Sequence, residues 1–318
     1  MVGCDKLDKL IKVVSIVGPT ASGKSKLAVE LAKKFDGEII SADSMQIYKD
    51  MAIATAKPTQ EERAGIRHHL LDFLPVNKTY SVASFVEDAK NCITDITSRD
   101  MLPFIVGGTG LYVDSLLNNI TFNQETRDEK TTKELNEIYI NNGVEKLLEM
   151  LSEFDPQSAS KLSEQKNVKR IIRAIEFYKT TGTTITEQNI KSTQNKSPYK
   201  AVKIGLNFKD RQSLYNRINN RVDDMIEKGL IDEARLVLSS DLSFTSIKAI
   251  GYKELMPYFN NEKSLEECIE KLKQETRRYA KRQLTWFRRD KDINWLYIDE
   301  YNSFEELYNT AVSVIEKG

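Results

Sequence analysis

The sequence predicts an α/β protein: a parallel sheet flanked by helices, carrying a phosphate loop and interrupted by a helical insertion. Three observations predict it. Residues 13–17, Val13, Val14, Ser15, Ile16 and Val17, form a β-branched apolar run suited to a buried strand. Residues 18–25 then fit G-x-x-x-x-G-K-[ST] at every fixed position. Residues 26–35 place Leu27, Leu31 and Phe35 at helical spacing. Strand, loop and helix is the context the motif requires, and it makes the fold class P-loop NTPase-like. In such a loop, glycines let backbone N–H groups face phosphate oxygens, and the helix N-terminus adds positive potential. Gly18, Pro19, Thr20, Ala21, Ser22, Gly23, Lys24 and Ser25 are therefore the expected polyphosphate site. Lys24 would reach the terminal phosphates, and the Ser25 hydroxyl would ligate Mg²⁺. The motif specifies neither the polyphosphate nor the bond that breaks.

Composition sets the bounds. At 318 residues the chain can bury a large core in one or two domains. With 40% hydrophobic and 30% charged residues it reads as a globular protein, expected in the cytoplasm. No apolar run approaches the roughly 18 residues of a membrane helix, and the first residues lack a signal-peptide core. Cys4, Cys92 and Cys268 lie far apart without ligand spacing and read as free thiols. The 47 basic and 47 acidic side chains cancel, so any sign of nucleic acid must be local.

Residues 38–42 read as a second strand, with Asp43 at its carboxyl end, where open α/β sheets bind ligands. Asp43 suits a base or a metal-shell group, or equally an ordinary turn aspartate. Residues 52–80 are loop-rich, and the His68-His69 pair reads as polar loop or packing residues rather than metal ligands. Residues 84–87, Ser-Phe-Val-Glu, read as a capping box opening a helix to about Ser98. Residues 103–106 form a third strand, ending in Gly107-Gly-Thr109 where an ATPase would carry an acidic residue on Mg²⁺. That absence weakens an ATPase reading. Thr109 offers a hydroxyl beside the phosphate site, or a cap for the next helix.

Residues 121–199 lose strand signals and read as a helical insertion. Helices are expected over 135–151, interrupted at Asn141-Asn-Gly143, and over 167–178, with 183–198 as loop. Arg170 and Arg173 share a face. Strand pattern resumes over 201–206, so the core is expected to comprise 1–120 and 200–318. Arg217 and Arg221 stand at i, i+4 on a helix over 214–225. They could clamp a diphosphate from one face, although spacing alone favours a solvated pair. Residues 271–291 hold nine Lys/Arg against two acids, interleaved with Tyr279, Trp286 and Phe287. Cations for phosphates and rings for unstacked bases favour nucleic acid, by single-strand or loop recognition, over a solvated helix with inward rings.

Taken together, these motifs resemble one family, the bacterial tRNA dimethylallyltransferases. The matching pieces are residues 18–25, Ser41-Ala-Asp-Ser-Met-Gln-Ile-Tyr48, Thr55-Ala-Lys-Pro58, His68-His-Leu70 and Val106-Gly-Gly-Thr-Gly-Leu-Tyr112. Arg173-Ala-Ile-Glu176, Ala249-Ile-Gly-Tyr-Lys-Glu254 and Lys281-Arg-Gln-Leu-Thr-Trp-Phe-Arg288 complete the series, in order over nearly the whole chain. The resemblance implies a P-loop core with a helical insertion contacting the tRNA anticodon stem-loop. It implies transfer of a dimethylallyl group from its diphosphate to the exocyclic amine of the adenosine 3′ of the anticodon. The tRNAs concerned read codons that begin with U. Asp43 would take the amine proton and Thr109 would contact the diphosphate or the reacting centre. Arg221, with Arg217, would clamp the leaving group. Asp43, Ser44, Met45, Gln46, Lys169, Arg170, Arg173, Lys248, Gly251, Lys253, Lys281, Arg282, Gln283, Trp286 and Arg288 would meet tRNA. Mg²⁺ on Ser25, dimethylallyl diphosphate, tRNA and a monomeric state are the implied cofactor, partners and assembly, with no membrane.

The chain departs from the pattern where members often carry Gln-Arg and it has Lys169-Arg170. It also has Thr132 or Lys133 where an arginine is common. The zinc finger of eukaryotic relatives is absent, which implies the bacterial type. Rival readings are a prenyltransferase acting on free AMP, ADP or ATP, a nucleotide kinase, and a GTPase-like RNA-binding module. The last lacks a convincing N-K-x-D motif.

Overall fold

The β-branched run becomes a central strand in the computed structural model, which describes residues 10–122, 128–165, 167–192, 195–240, 242–243 and 246–318. Strand β1 (Ile11–Val17) is buried over its last five residues and leads through the phosphate loop into α1 (Lys24–Lys34). Strand β2 (Gly37–Ser41) is buried throughout, as expected of a strand covered on both faces. A short helix, α2 (Gln60–Arg63), is capped reciprocally by Thr59 and Glu62 and precedes β3 (His68–His69). Then come α3 (Val82–Ser98), β4 (Leu102–Gly107) and α4 (Gly110–Leu117). Four helices follow: α5 (Glu129–Ser152), α6 (Pro156–Gln165), α7 (Val168–Thr181) and α8 (Ile185–Ser192). The sheet resumes with β5 (Tyr199–Asn207), then α9 (Arg211–Glu227), α10 (Leu230–Leu238), α11 (Tyr252–Phe259) and α12 (Leu265–Phe287). The chain closes with β6 (Asn294–Tyr297) and α13 (Phe304–Lys317).

The strands form one parallel sheet in the order β3-β2-β4-β1-β5-β6. Val14 of β1 stands opposite Phe104 on β4 and Val202 on β5, so the phosphate loop leaves the middle of the sheet. Leu27 and Leu31 of α1 and Leu307, Ala311 and Ile315 of α13 share a core with Ile16, Phe104 and Ile204. Burying each Leu or Ile contributes about 1.5–3 kcal/mol. The loop is thus anchored by strand and helix together. A second core joins Tyr48 and Met51, from the segment after β2, to Leu230, Tyr252 and Leu272.

The chain forms two compact units, Met1–Leu117 with Pro198–Gly318, and Asn118–Ser197. The second has its own core of Leu135, Leu147, Leu151, Ile171 and Ile175. Gly143 breaks α5 with φ 80° and ψ −178°, at the interruption read from Asn141-Asn-Gly143.

Several sequence expectations need correction. The cap of α3 is Ser81, whose hydroxyl accepts from the Ser84 N–H, so the helix starts before the expected box. His68 and His69 are an edge strand rather than loop, because the exposed edge of β2 needs hydrogen-bond partners. His69 Nε2 lies 2.6 Å from Glu38, whose carboxylate also accepts two bonds from Arg99. Arg99 leads the interactions that pull Glu38 down to about 2, so this cluster already holds its cation. The expected loop 183–198 contains α8, started by reciprocal bonds between Thr184 and Glu187. Helix α6 is an addition to the elements expected of the insertion. Cys92 and Cys268 are free thiols, whereas Cys4 lies outside the described residues. No described helix is long and apolar enough to cross a membrane.

Candidate active site

The carboxyl ends of β1, β2 and β4 converge on one place. The loop after β1 bends sharply at Gly18, whose φ is 144°, and a Cβ there would sit 2.4 Å from the Leu206 carbonyl oxygen of β5. Only glycine permits that approach. Lys24, in the first turn of α1, folds back so that its Nζ donates to the Pro19 carbonyl at 2.7 Å. Burial first, then the Arg221 charge, lower its pKa to about 7, with Asp43 partly opposing them. An ammonium held this way gains most from an arriving anion. Ser22 is buried with its hydroxyl unpartnered. Ser25 is exposed, and its hydroxyl makes no side-chain hydrogen bond among the described residues. A single hard hydroxyl beside a phosphate cradle fits Mg²⁺, which keeps several waters and takes its other oxygens from substrate.

Asp43 lies in the turn after β2, half-buried, and its Oδ1 accepts the Met45 N–H at 3.0 Å. Asp43 is thus a turn aspartate, and its charge bears on those of Lys24 and Arg221. No described group donates to Oδ2, which stays available as an acceptor. Thr109, after β4, does not cap α4 with its side chain. Its Oγ1 accepts the Ser44 N–H at 3.0 Å and donates to Ser44 Oγ at 3.3 Å. Its N–H donates to the Ala42 carbonyl at 3.2 Å, so the two strand-end loops are tied together. No carboxylate ends β4; its last residues before Thr109 are glycines.

The two α9 arginines divide their tasks. Arg217 is exposed, donates from Nε to the Ala21 carbonyl at 3.0 Å, and lies 5.6 Å from the Phe208 ring centroid. It is a brace for the phosphate loop rather than a free surface cation. Arg221 turns inward, with its Nε buried and unpartnered. Burial disfavours its charged form, while Asp43 and Glu62 favour it. A buried guanidinium N–H without an acceptor is costly, and an anion in the loop would supply one.

Helix α12 corrects the sequence reading most. Phe287 is core and Gln283 is 5% exposed. Trp286 is half-buried, and its indole N–H donates to Asp114 at 2.6 Å. Gln283 is buried and Trp286 is half-buried, whereas Lys281, Arg282 and Arg288 are exposed. Tyr279, absent from the expected site residues, points its hydroxyl toward Thr109 and Gln283. Burial, then Asp43, push its pKa up. The helical spacing of Tyr279, Gln283 and Trp286 is the signal that could have found it.

The remaining expected RNA contacts fall in both units. Gln46 is spent internally: its amide donates to Thr55 and Ala56 carbonyls at 3.1 and 3.3 Å and accepts from Ser41. Ser44 and Met45 are half-buried. Gly251 is buried, with its N–H bonded to Glu254. Lys253 is exposed beside Glu254, and the Lys248 side chain lies outside the described residues. Lys169, Arg170 and Arg173 belong to α7 of the other unit. There Arg170 donates to Gln165 and Arg173 pairs with Glu176.

A family model described as IPP transferase matches residues 46–290. The chain belongs to the IPP transferase family. The matched segment begins after the phosphate loop, but relatives align across both. A tRNA dimethylallyltransferase of Caldanaerobacter subterraneus subsp. tengcongensis is 47% identical over 300 residues, covering 93% of this chain and 95% of that protein. One from Oceanobacillus iheyensis is 46% identical over 311 residues, covering 96% and 98%. The crystal structure of a Bacillus halodurans tRNA isopentenylpyrophosphate transferase matches at a TM-score of 0.69 and 43% identity, covering 96% and 97%. A eukaryotic dimethylallyltransferase acting on tRNA matches at a TM-score of 0.80 and 30% identity, covering 96% and 80%. This IPP transferase family member therefore carries its phosphate loop, Asp43 and Thr109 within a fold shared with enzymes that act on tRNA.

Proposed function

We propose that the chain transfers a dimethylallyl group from dimethylallyl diphosphate to the exocyclic amine of the adenosine 3′ of the anticodon. The tRNAs are those that read codons beginning with U. The observation that carries this reading is a phosphate loop whose Lys24 lies beside the Arg221 charge, next to a strand β4 that ends in glycine rather than in a metal-binding acid. A prenyl diphosphate departs as diphosphate, so the site must neutralise a leaving group and need not split a phosphoanhydride. The loop N–H groups, Lys24 and Arg221 neutralise it, and Arg217 holds the loop in shape. Ser25 would hold Mg²⁺, which supplies further positive charge to the diphosphate oxygens when bound. The adenine must leave its stack to reach the allylic carbon. Asp43 Oδ2 then orients the amine and takes its proton as the nitrogen becomes cationic. Thr109 and Tyr279 frame the carboxylate.

The RNA side of the proposal rests on the exposed cations of α12. Arg282→Glu combined with Arg288→Glu is expected to weaken tRNA binding and flatten its salt dependence. The slope of log K against log salt should fall by roughly 0.7–0.9 for each phosphate that the double variant no longer neutralises. Diphosphate affinity should stay within about twofold. An unchanged salt slope in the double variant would make this face an ordinary solvated one. The protein is read as a monomeric cytoplasmic enzyme.

A further inference from the structure

Helix α12 has two faces with different chemistry. Leu272, Ala280, Gln283, Leu284 and Phe287 are buried, whereas Lys281, Arg282 and Arg288 are exposed. Gln283 is the polar member of the inner face. Its Oε1 accepts the Thr20 N–H at 2.9 Å, and its Nε2 donates to the Gly108 carbonyl at 3.0 Å. A Cβ on Gly108 would lie 2.0 Å from that Nε2, so the amide is seated directly on the loop backbone.

A buried primary amide is costly unless both ends of its dipole are paired. Here both ends meet loop groups that no sheet or helix satisfies. Thr20 lies in the loop after β1, and Gly108 lies in the loop after the neighbouring β4. One side chain therefore spans the two loops that border the anion site. The Thr20 N–H is thereby committed to Gln283.

We infer that Gln283 is a positioning residue for the phosphate loop, whose amide locks Thr20 to Gly108 and so sets the loop's curvature for diphosphate. This deepens the diphosphate reading above and rests on it. It separates Gln283 from the RNA-facing residues beside it in sequence. The inner face of α12 shapes the anion site, and the outer face presents cations.

The test compares wild type, Gln283→Met and Gln283→Glu. Binding of inorganic diphosphate is measured by calorimetry in Mg²⁺ buffer, and tRNA binding is measured across a salt series. Thermal melting establishes that each variant is folded. Gln283→Met keeps the length and removes both bonds, so the diphosphate Kd should rise about tenfold or more. Gln283→Glu can still accept from Thr20 but sets a carboxylate against the Gly108 carbonyl, so its loss should be at least as large. Should the Met variant fail to fold, the Glu variant carries the same measurement. The tRNA Kd and its salt slope should stay within about twofold for both. A folded variant with wild-type diphosphate affinity overturns the inference. Loss of tRNA affinity with diphosphate binding intact would instead make Gln283 an RNA contact. Failure of wild type to bind diphosphate would remove the diphosphate reading itself, a distinguishable result.

Discussion

Asp43→Asn is expected to bind both substrates nearly as wild type does and to turn over roughly 10²–10⁴-fold more slowly, the range for loss of a general base. The asparagine keeps the size and can accept the Met45 N–H that Asp43 Oδ1 accepts at 3.0 Å. The turn, and with it the Ser44–Thr109 link, should therefore survive. On the proposed mechanism, what is lost is the proton acceptor. The free exocyclic amine is too weak an acid to be deprotonated before attack. Proton transfer accompanies or follows bond formation to the allylic carbon, when the nitrogen carries positive charge. A neutral amide neither stabilises that charge nor accepts the proton. Single-turnover rates with both dissociation constants decide the matter. A rate within about threefold of wild type would leave Asp43 as a turn residue alone.

Lys24→Ala is expected to cost at least about a hundredfold in turnover, because it removes a cation whose interaction strengthens as negative charge builds on the departing diphosphate. The pH behaviour of wild type reports the same group. Burial, with help from Arg221, lowers Lys24 to about 7, so above that pH the free site holds a neutral amine. Diphosphate stabilises the ammonium and raises its pKa. Binding at about pH 8–9 should then take up close to one proton, and affinity should fall with rising pH at up to about one log unit per pH unit. Below about pH 6 the amine is already protonated and uptake should vanish. Calorimetry in buffers of different ionisation enthalpy measures this directly. Lys24→Ala should abolish the proton uptake. ATP should not be consumed in either enzyme, and stoichiometric ATP hydrolysis coupled to tRNA turnover would contradict prenyl transfer.

The parts of the fold written in local pattern were legible in the sequence. The apolar run of β1 followed by a full phosphate-loop motif placed the site, since β-branched burial and glycine punctuation act over a few residues. Gly143 marked the break in α5 for the same reason. Features that depend on distant partners were not legible. His68-His69 became a strand only because the β2 edge lay beside it. Arg217 and Arg221 looked alike at i, i+4, and their separate fates follow from the Ala21 carbonyl that takes the Arg217 bond and the burial of the Arg221 Nε. In α12, composition suggested aromatic rings for bases. The helical period of Tyr279, Gln283 and Trp286 already pointed to a shared face, and the structure buries that face against α4 and the phosphate loop. Composition shows that cations are present, whereas periodicity shows which neighbours they leave exposed.

In the proposed reaction a diphosphate leaving group and a tRNA adenosine meet in one site. The most direct test is incubation of the enzyme with labelled dimethylallyl diphosphate and either tRNA or AMP as acceptor. Label should enter tRNA at the adenosine 3′ of the anticodon, with one diphosphate released per transfer, and AMP should remain unlabelled. Transfer to AMP with tRNA left unmodified would contradict the account.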